Sequence, residues 1–323
     1  MSADIKPNKP IISRRNFLKM GALAWAAGVS AACAGAGVST EPVATEKFDP
    51  FRYNLRLLIK QKDYTNFAIG AAAQSLPNVD FWRDFQISDD QKDVRTALAK
   101  QVRDWNYAVV LPLSLETGNK EQKIIATERA VQTTSDLMLD SEFGPFVIVA
   151  GYFRDVSGQA IETRTGIVSD LYPNASGETK NSPMLTEFRL DEAGRYRPLI
   201  TVNADTVANP DNPPTYLYMA VGMVHEVLGH TTLDNSIVNK WTELTNQPLP
   251  LELISVIKTA GYSQNWAYWV DSSTLDALQR INPNLVRNIS SNRLKLSEDW
   301  RRLKENGVYW WDEDWARVLL ENR

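Results

Sequence analysis

The chain has 323 residues, 43% of them hydrophobic and 23% charged, and a formal net charge of −4 at pH 7. This composition argues against collagen-like repeats, coiled coil or disorder as the main state, and the length predicts one large domain or two intimate ones. One cysteine and two histidines exclude an intramolecular disulfide framework, a cysteine-based zinc cluster and a three-histidine metal site.

The first residues read as an address. Ser13-Arg14-Arg15-Asn16-Phe17-Leu18-Lys19 resembles the twin-arginine export motif at every defined position. The apolar, Gly/Ala-rich stretch from Met20 to Ala32 is too short to anchor as a span and suits the core of a signal peptide. The lone Cys33 closes it in the context Val29-Ser30-Ala31-Ala32-Cys33. That context resembles a bacterial lipobox, with Ser30 where leucine is usual. Two outcomes stay open: lipidation of Cys33, which tethers the chain by acyl chains, or ordinary signal cleavage around Ala32-Cys33-Ala34. Residues 1–33 are therefore expected to be a twin-arginine signal peptide, with Arg14 and Arg15 engaging the twin-arginine translocation machinery. The product is expected in the periplasm or at an extracytoplasmic membrane surface. Without residues 1–33 the chain keeps 30 basic and 38 acidic residues, a net charge of −8, which argues against a nucleic-acid partner. Residues 34–47 are rich in Gly, Ala, Ser, Thr and Pro and read as a flexible stalk.

Residues 48–204 are expected to form an N-terminal α+β part. Helical spacing runs over 90–105, with Val94, Leu98, Val102 and Trp105 on one stripe, and again from Lys120 to Leu139. Tyr107 to Leu113 reads as a strand. Phe146–Phe153 and Ala160–Val168 read as a hairpin around Asp155-Val156-Ser157-Gly158. Leu185–Leu190 and Tyr196–Asn203 read as a second one around Asp191-Glu192-Ala193-Gly194. Residues 205–323 are expected to be helical, with Asn212 as N-cap and Pro213 as first residue of a buried helix that carries Tyr216 to Leu228. Seven of the ten tryptophans lie between Trp241 and Trp315, and the last four (Trp300, Trp310, Trp311, Trp315) read as helix core. Helices, a small antiparallel sheet, then helices make an α+β class.

Both histidines fall in His225-Glu226-Val227-Leu228-Gly229-His230, a separation that random placement gives about once in 160 trials. Zinc hydrolases commonly carry H-E-x-x-H, because residues four apart share a helix face. Here the spacing is five, and on an ideal α-helix five steps turn about 140° away from alignment. An extra residue absorbed as a π-bulge restores convergence, and Gly229 sits where backbone distortion costs least.

The hexapeptide resembles the zinc motif of the dipeptidyl peptidase III family, H-E-L-L-G-H, and differs only at Val227. That resemblance implies Zn²⁺ held by His225 and His230, with Glu226 as catalytic base. The family's Glu-Glu pair has no counterpart in this chain, so the resemblance implies the type of metal site alone. A strand before a metal-binding helix is similar to the wider zincin class. With no histidine left, the third ligand must be a carboxylate. Likeness to glutamate-type zincins points to Glu252, and Glu243 and Asp234 stay open. In that class a tyrosine often stabilises the oxyanion, and Tyr262 and Tyr268 are candidates. The expected activity is hydrolysis of a peptide or protein substrate by an exported zinc metallopeptidase. The alternatives are a lipid-anchored, non-catalytic protein that binds a metal or ligand, and a zinc hydrolase of a non-peptide bond.

Overall fold

The computed structural model describes residues 49–73, 91–110, 118–141, 143–155, 158–259 and 261–284. The signal peptide with Arg14, Arg15 and Cys33, the stalk, and the four C-terminal tryptophans lie outside the described residues, as do residues 111–113 of the strand expected from Tyr107.

Helix α1 (Pro50–Gln61) starts on Asp49, whose carboxylate accepts from the Phe51 and Arg52 amides, and has Pro50 in its first turn. Both are favourable at a helix N-terminus. Helix α2 (Tyr64–Ala73) follows. Helix α3 (Lys92–Tyr107) buries Leu98, Val102 and Trp105, as its spacing predicts. Val94 is 40% exposed, so the buried stripe begins one turn later than expected. Helix α4 (Lys120–Asp140) opens with a reciprocal capping box between Asn119 and Gln122, which satisfies two otherwise orphaned amides.

Phe146–Phe153 departs from expectation. Helix α5 (Gly144–Val149) takes the apolar run, with Pro145 in its first turn. Phe143, Phe146 and Val149 are fully buried, and Phe146 stacks on Trp105. A short run that is apolar all round carries no periodicity to tell strand from helix. Gly151, Tyr152 and Phe153 then turn the chain in the left-handed region (φ 75°, 55° and 49°), and among the described residues the expected hairpin is reduced to a bridge from Arg154 to Ala160.

Among the described residues the sheet has three strands in the order β1-β3-β2: β1 (Glu162–Gly166), β2 (Met184–Glu187) and β3 (Leu199–Asn203). It is mixed, where an antiparallel sheet was expected. Between β1 and β2 lie the short helices α6 (Val168–Leu171) and α7 (Gly177–Asn181), and β1 pairs parallel to β3. The second expected hairpin is present: β2 pairs antiparallel to β3, and a bridge joins Leu190 to Tyr196 across a turn with Gly194 at φ 73°. β3 is buried along its whole length, as a central strand covered on both faces should be. The fold class is thus α+β, with helix dominating.

After α8 (Ala204–Val207), helix α9 (Tyr216–Val224) is capped by Thr215, whose hydroxyl accepts from the Tyr218 amide; the expected start at Asn212-Pro213 is displaced by three residues. Its apolar side chains are buried. The helix continues as a π-helical turn, His225–Thr231, and then as α10 (Thr232–Thr245). Helices α11 (Leu251–Thr259) and α12 (Gly261–Ile281) follow. One hydrophobic cluster takes in Ile200 and Val202 of β3, Leu217 and Met223 of α9 and Val270 of α12, so the core runs across the expected boundary at residue 204. Among the described residues no helix is long and apolar enough to cross a membrane.

Helix α12 packs on the π turn more extensively than any other element does. A Cβ placed on Gly229 would stand 2.8 Å from both Cα and Cβ of Ala267. Gly229 is therefore demanded by the neighbouring helix: its φ is an ordinary negative one. Gly229→Ala is expected to cost about 1–3 kcal/mol through overpacking, read as a lowered Tm, and Ala267→Gly is expected to restore part of the loss. An unchanged Tm in Gly229→Ala would contradict this close approach.

Candidate metal centre

The π turn answers the spacing problem. The Thr232 amide and hydroxyl both bond to the Val227 carbonyl, five residues back. Residues five apart therefore stack one turn above another. The imidazoles of His225 and His230 come together with ring centres 5.0 Å apart at an interplanar angle of 68°. Two imidazoles bonded to one tetrahedral zinc at about 2.0–2.1 Å have centres roughly 5 Å apart. The pair thus fits a shared ion.

The carboxylate that meets the pair is Asp271, with Oδ2 3.0 Å from Nδ1 of His225. It lies on α12, one turn beyond Ala267, the residue that touches Gly229. The two helices run antiparallel here: 229 opposes 267 and 225 opposes 271. Asp271 is buried, at 2% exposure. A carboxylate that accepts from Nδ1–H fixes the ring and its tautomer and leaves Nε2 as the lone-pair nitrogen. Burial, with the His225 charge adding to it, pushes the His230 pKa down to about 3, and Asp271 works in the opposite direction. His230 is therefore a neutral ring at pH 7, the form that binds a cation.

Glu226 is buried beside the pair, and its Oε2 accepts a 2.6 Å bond from the Thr186 hydroxyl of β2. Asp234 is buried too. Its Oδ2 accepts from the Tyr196 hydroxyl at 3.3 Å, and its Oδ1 has no hydrogen-bond partner among the described residues. Burial raises its pKa to about 8, against the lowering effect of the Tyr196 bond. Burial also lifts Tyr196 well above the usual tyrosine range, and the Asp234 and Glu226 charges act in the same direction. Three carboxyl groups thus lie buried in the region of the two imidazoles, an arrangement that a cation would compensate.

Of the proposed third ligands, Asp234 alone is buried with the histidines' helix. Glu252 is exposed on α11. Glu243 is half-exposed and ion-paired with Arg52 and Lys240. Tyr262 and Tyr268 fall on α12, and their side chains lie outside the described residues. Among the described residues no three His, Cys, Asp or Glu side chains stand ready around one point. Sequence reasoning missed Asp271, Thr186 and Tyr196. Tyr196 follows the predicted turn at Asp191–Gly194, which gave a local signal; Asp271 and Thr186 are tertiary partners.

Searches with the chain against protein-family models, curated proteins and solved structures find no match.

Two outcomes test the site. Asp271→Asn is expected to weaken zinc binding about 10–100-fold, as loss of an orienting carboxylate does, in competition titrations against a chelator; unchanged affinity would remove Asp271 from the site. Asp234 has a folded pKa above its ordinary value, so its contribution to stability is full below about pH 4 and is lost as pH rises through about 8. Metal-free Asp234→Asn should therefore gain Tm relative to the parent between pH 5 and pH 9, by more than about 2 °C. A difference that stays flat with pH would contradict the buried neutral acid.

Proposed function

We propose that this chain is a zinc-dependent metallohydrolase of zincin type that cleaves peptide bonds. It is exported by the twin-arginine machinery, and the periplasm or an extracytoplasmic membrane surface is its place of action, with a lipid anchor at Cys33 if that cysteine is acylated. The observation that carries the reading is the convergence of His225 and His230, centres 5.0 Å apart, with a buried glutamate adjacent in sequence to the first.

His225 and His230 would hold the metal, and a carboxylate, with Asp234 the buried candidate, would complete the set. Bound zinc supplies Lewis acidity and a water of lowered pKa. The chain's own groups do the rest. Asp271 holds His225 in one tautomer. Thr186 occupies one oxygen of Glu226 and fixes the carboxylate's orientation. Glu226 accepts the proton of the attacking water and returns it to the leaving amine. A tyrosine donor to the oxyanion comes from Tyr262, Tyr268 or Tyr196. Tyr196 has the supporting feature that burial keeps it protonated, and so a donor. Among the described residues β2 is an edge strand of the sheet, and an edge strand suits an extended peptide backbone.

A second reading is a non-catalytic protein that binds a metal or ligand through the same helix. It is favoured by the lack of a preassembled three-ligand set among the described residues. A zinc hydrolase of a non-peptide bond uses the same groups.

Glu226→Gln separates these readings. Zinc content is expected to persist and peptide cleavage to fall by about 10²–10⁴-fold, the usual worth of a general base. Zinc-loaded parent protein that cuts no member of a broad peptide panel would overturn the peptidase reading.

A further inference from the structure

Beyond the metal centre, β2 leads into a cleft. Thr186 touches Glu226, and Phe188 follows directly on the last residue of β2. Phe188 packs on the Tyr196 ring, with centres 5.2 Å apart. Phe188, Arg189 and Leu190 form one wall. Leu251, Ile254 and Lys258 form the other, at positions i, i+3 and i+7 on one face of α11, and the cleft between them measures about 370 Å³. Four of the six lining residues are apolar, the other two are cations, and none is acidic, in a chain of net charge −4.

Two details give the cleft a polarity. Leu251 lines the cleft and is 81% exposed, more than any other large apolar side chain described. Arg189 is neutralised by Glu162 at 3.1 Å. Lys258 makes no ion pair among the described residues, so it is the cation left to meet a ligand. Apolar walls with a lone ammonium at one side suit an apolar side chain followed by an anion.

We infer that this cleft is a substrate subsite for an apolar side chain whose neighbouring group is a carboxylate, paired by Lys258. The carboxylate is either an acidic side chain or a peptide C-terminus. The inference rests on the peptide-hydrolase reading of the adjacent Glu226 site and gives it a substrate class.

The test uses zinc-loaded full-length Glu226→Gln protein, which binds without turning over, and fluorescein-labelled hexapeptides read by anisotropy. One pair contains internal Leu-Glu or Leu-Gln. A second pair ends in Leu as free acid or as amide. In one pair the carboxylate form is expected to bind about tenfold more tightly, roughly the worth of one additional ionic contact of 1.4 kcal/mol, and the pair that discriminates identifies the source of the carboxylate. Lys258→Glu should abolish or reverse the preference, Lys258→Arg should keep it, and Leu251→Ser should weaken all four peptides. Lys258 and Leu251 are both exposed, and Tm is expected to stay constant. No carboxylate preference in either pair, a preference that survives Lys258→Glu, or no binding of any peptide overturns the subsite. If the parent enzyme cleaves these peptides with kcat/KM indifferent to Lys258, the subsite is wrong and the hydrolase reading stands. If the Lys258-dependent preference holds and nothing is cleaved, the subsite stands and the hydrolase reading fails.

Discussion

The contact between Gly229 and Ala267 sets the geometry of everything around it. Without a Cβ at Gly229, the π turn and α12 approach until backbone meets backbone, at a distance that a methyl would close to 2.8 Å. One helical turn away, the same approach delivers Asp271 to Nδ1 of His225. A larger residue at 229 would push α12 outward and take that carboxylate with it. The backbone of the π turn acts on the same rings from within the helix. Its five-residue hydrogen bonding brings His230 over His225, which a regular α-helix would hold about 140° apart. Packing and backbone hydrogen bonding thus act together on one pair of imidazoles.

The electrostatics of the pocket follow from that packing. Glu226, Asp234 and Asp271 are all buried, and burial raises the pKa of Asp234 to about 8. Each has a donor partner: Thr186 for Glu226, Tyr196 for Asp234, His225 for Asp271. Burial also keeps His230 neutral. A neutral His230 beside His225, with carboxyl groups behind them, suits the borderline-soft divalent cation that we propose, and a carboxylate that orients an imidazole is the usual companion of such a site. The sheet contributes through β2, which brings Thr186 to Glu226 and is followed by Phe188, Arg189 and Leu190 of the cleft.

Much of this was legible in the residues. The five-residue spacing of the histidines was enough to expect a π-bulge, because a regular helix cannot align them. The 3.6 period of Leu98, Val102 and Trp105, and the turn at Asp191–Gly194, placed α3 and the β2–β3 hairpin. Phe146–Phe153 was misread because an unbroken apolar run has no period, and its helical start depends on Pro145. The mixed sheet was missed because the parallel pairing of β1 with β3 is a long-range choice. The role of Gly229 was half read: the position was right, and the reason is Ala267, 38 residues downstream. Asp271 was invisible for the same cause, since nothing local marks an aspartate in a tryptophan-rich helix as the partner of a distant histidine. Expecting the acidic partner on the helix after α10 led to Glu252, whose helix presents it to solvent.

We propose that one ion sits between His225 and His230. Zinc K-edge X-ray absorption of the protein loaded with one equivalent of zinc tests it most directly. Two imidazole ligands at about 2.0–2.1 Å, with oxygen completing a four-coordinate shell and no sulfur, are the result expected. A shell with one imidazole or none, or a chain that retains no zinc through buffer exchange, would contradict it.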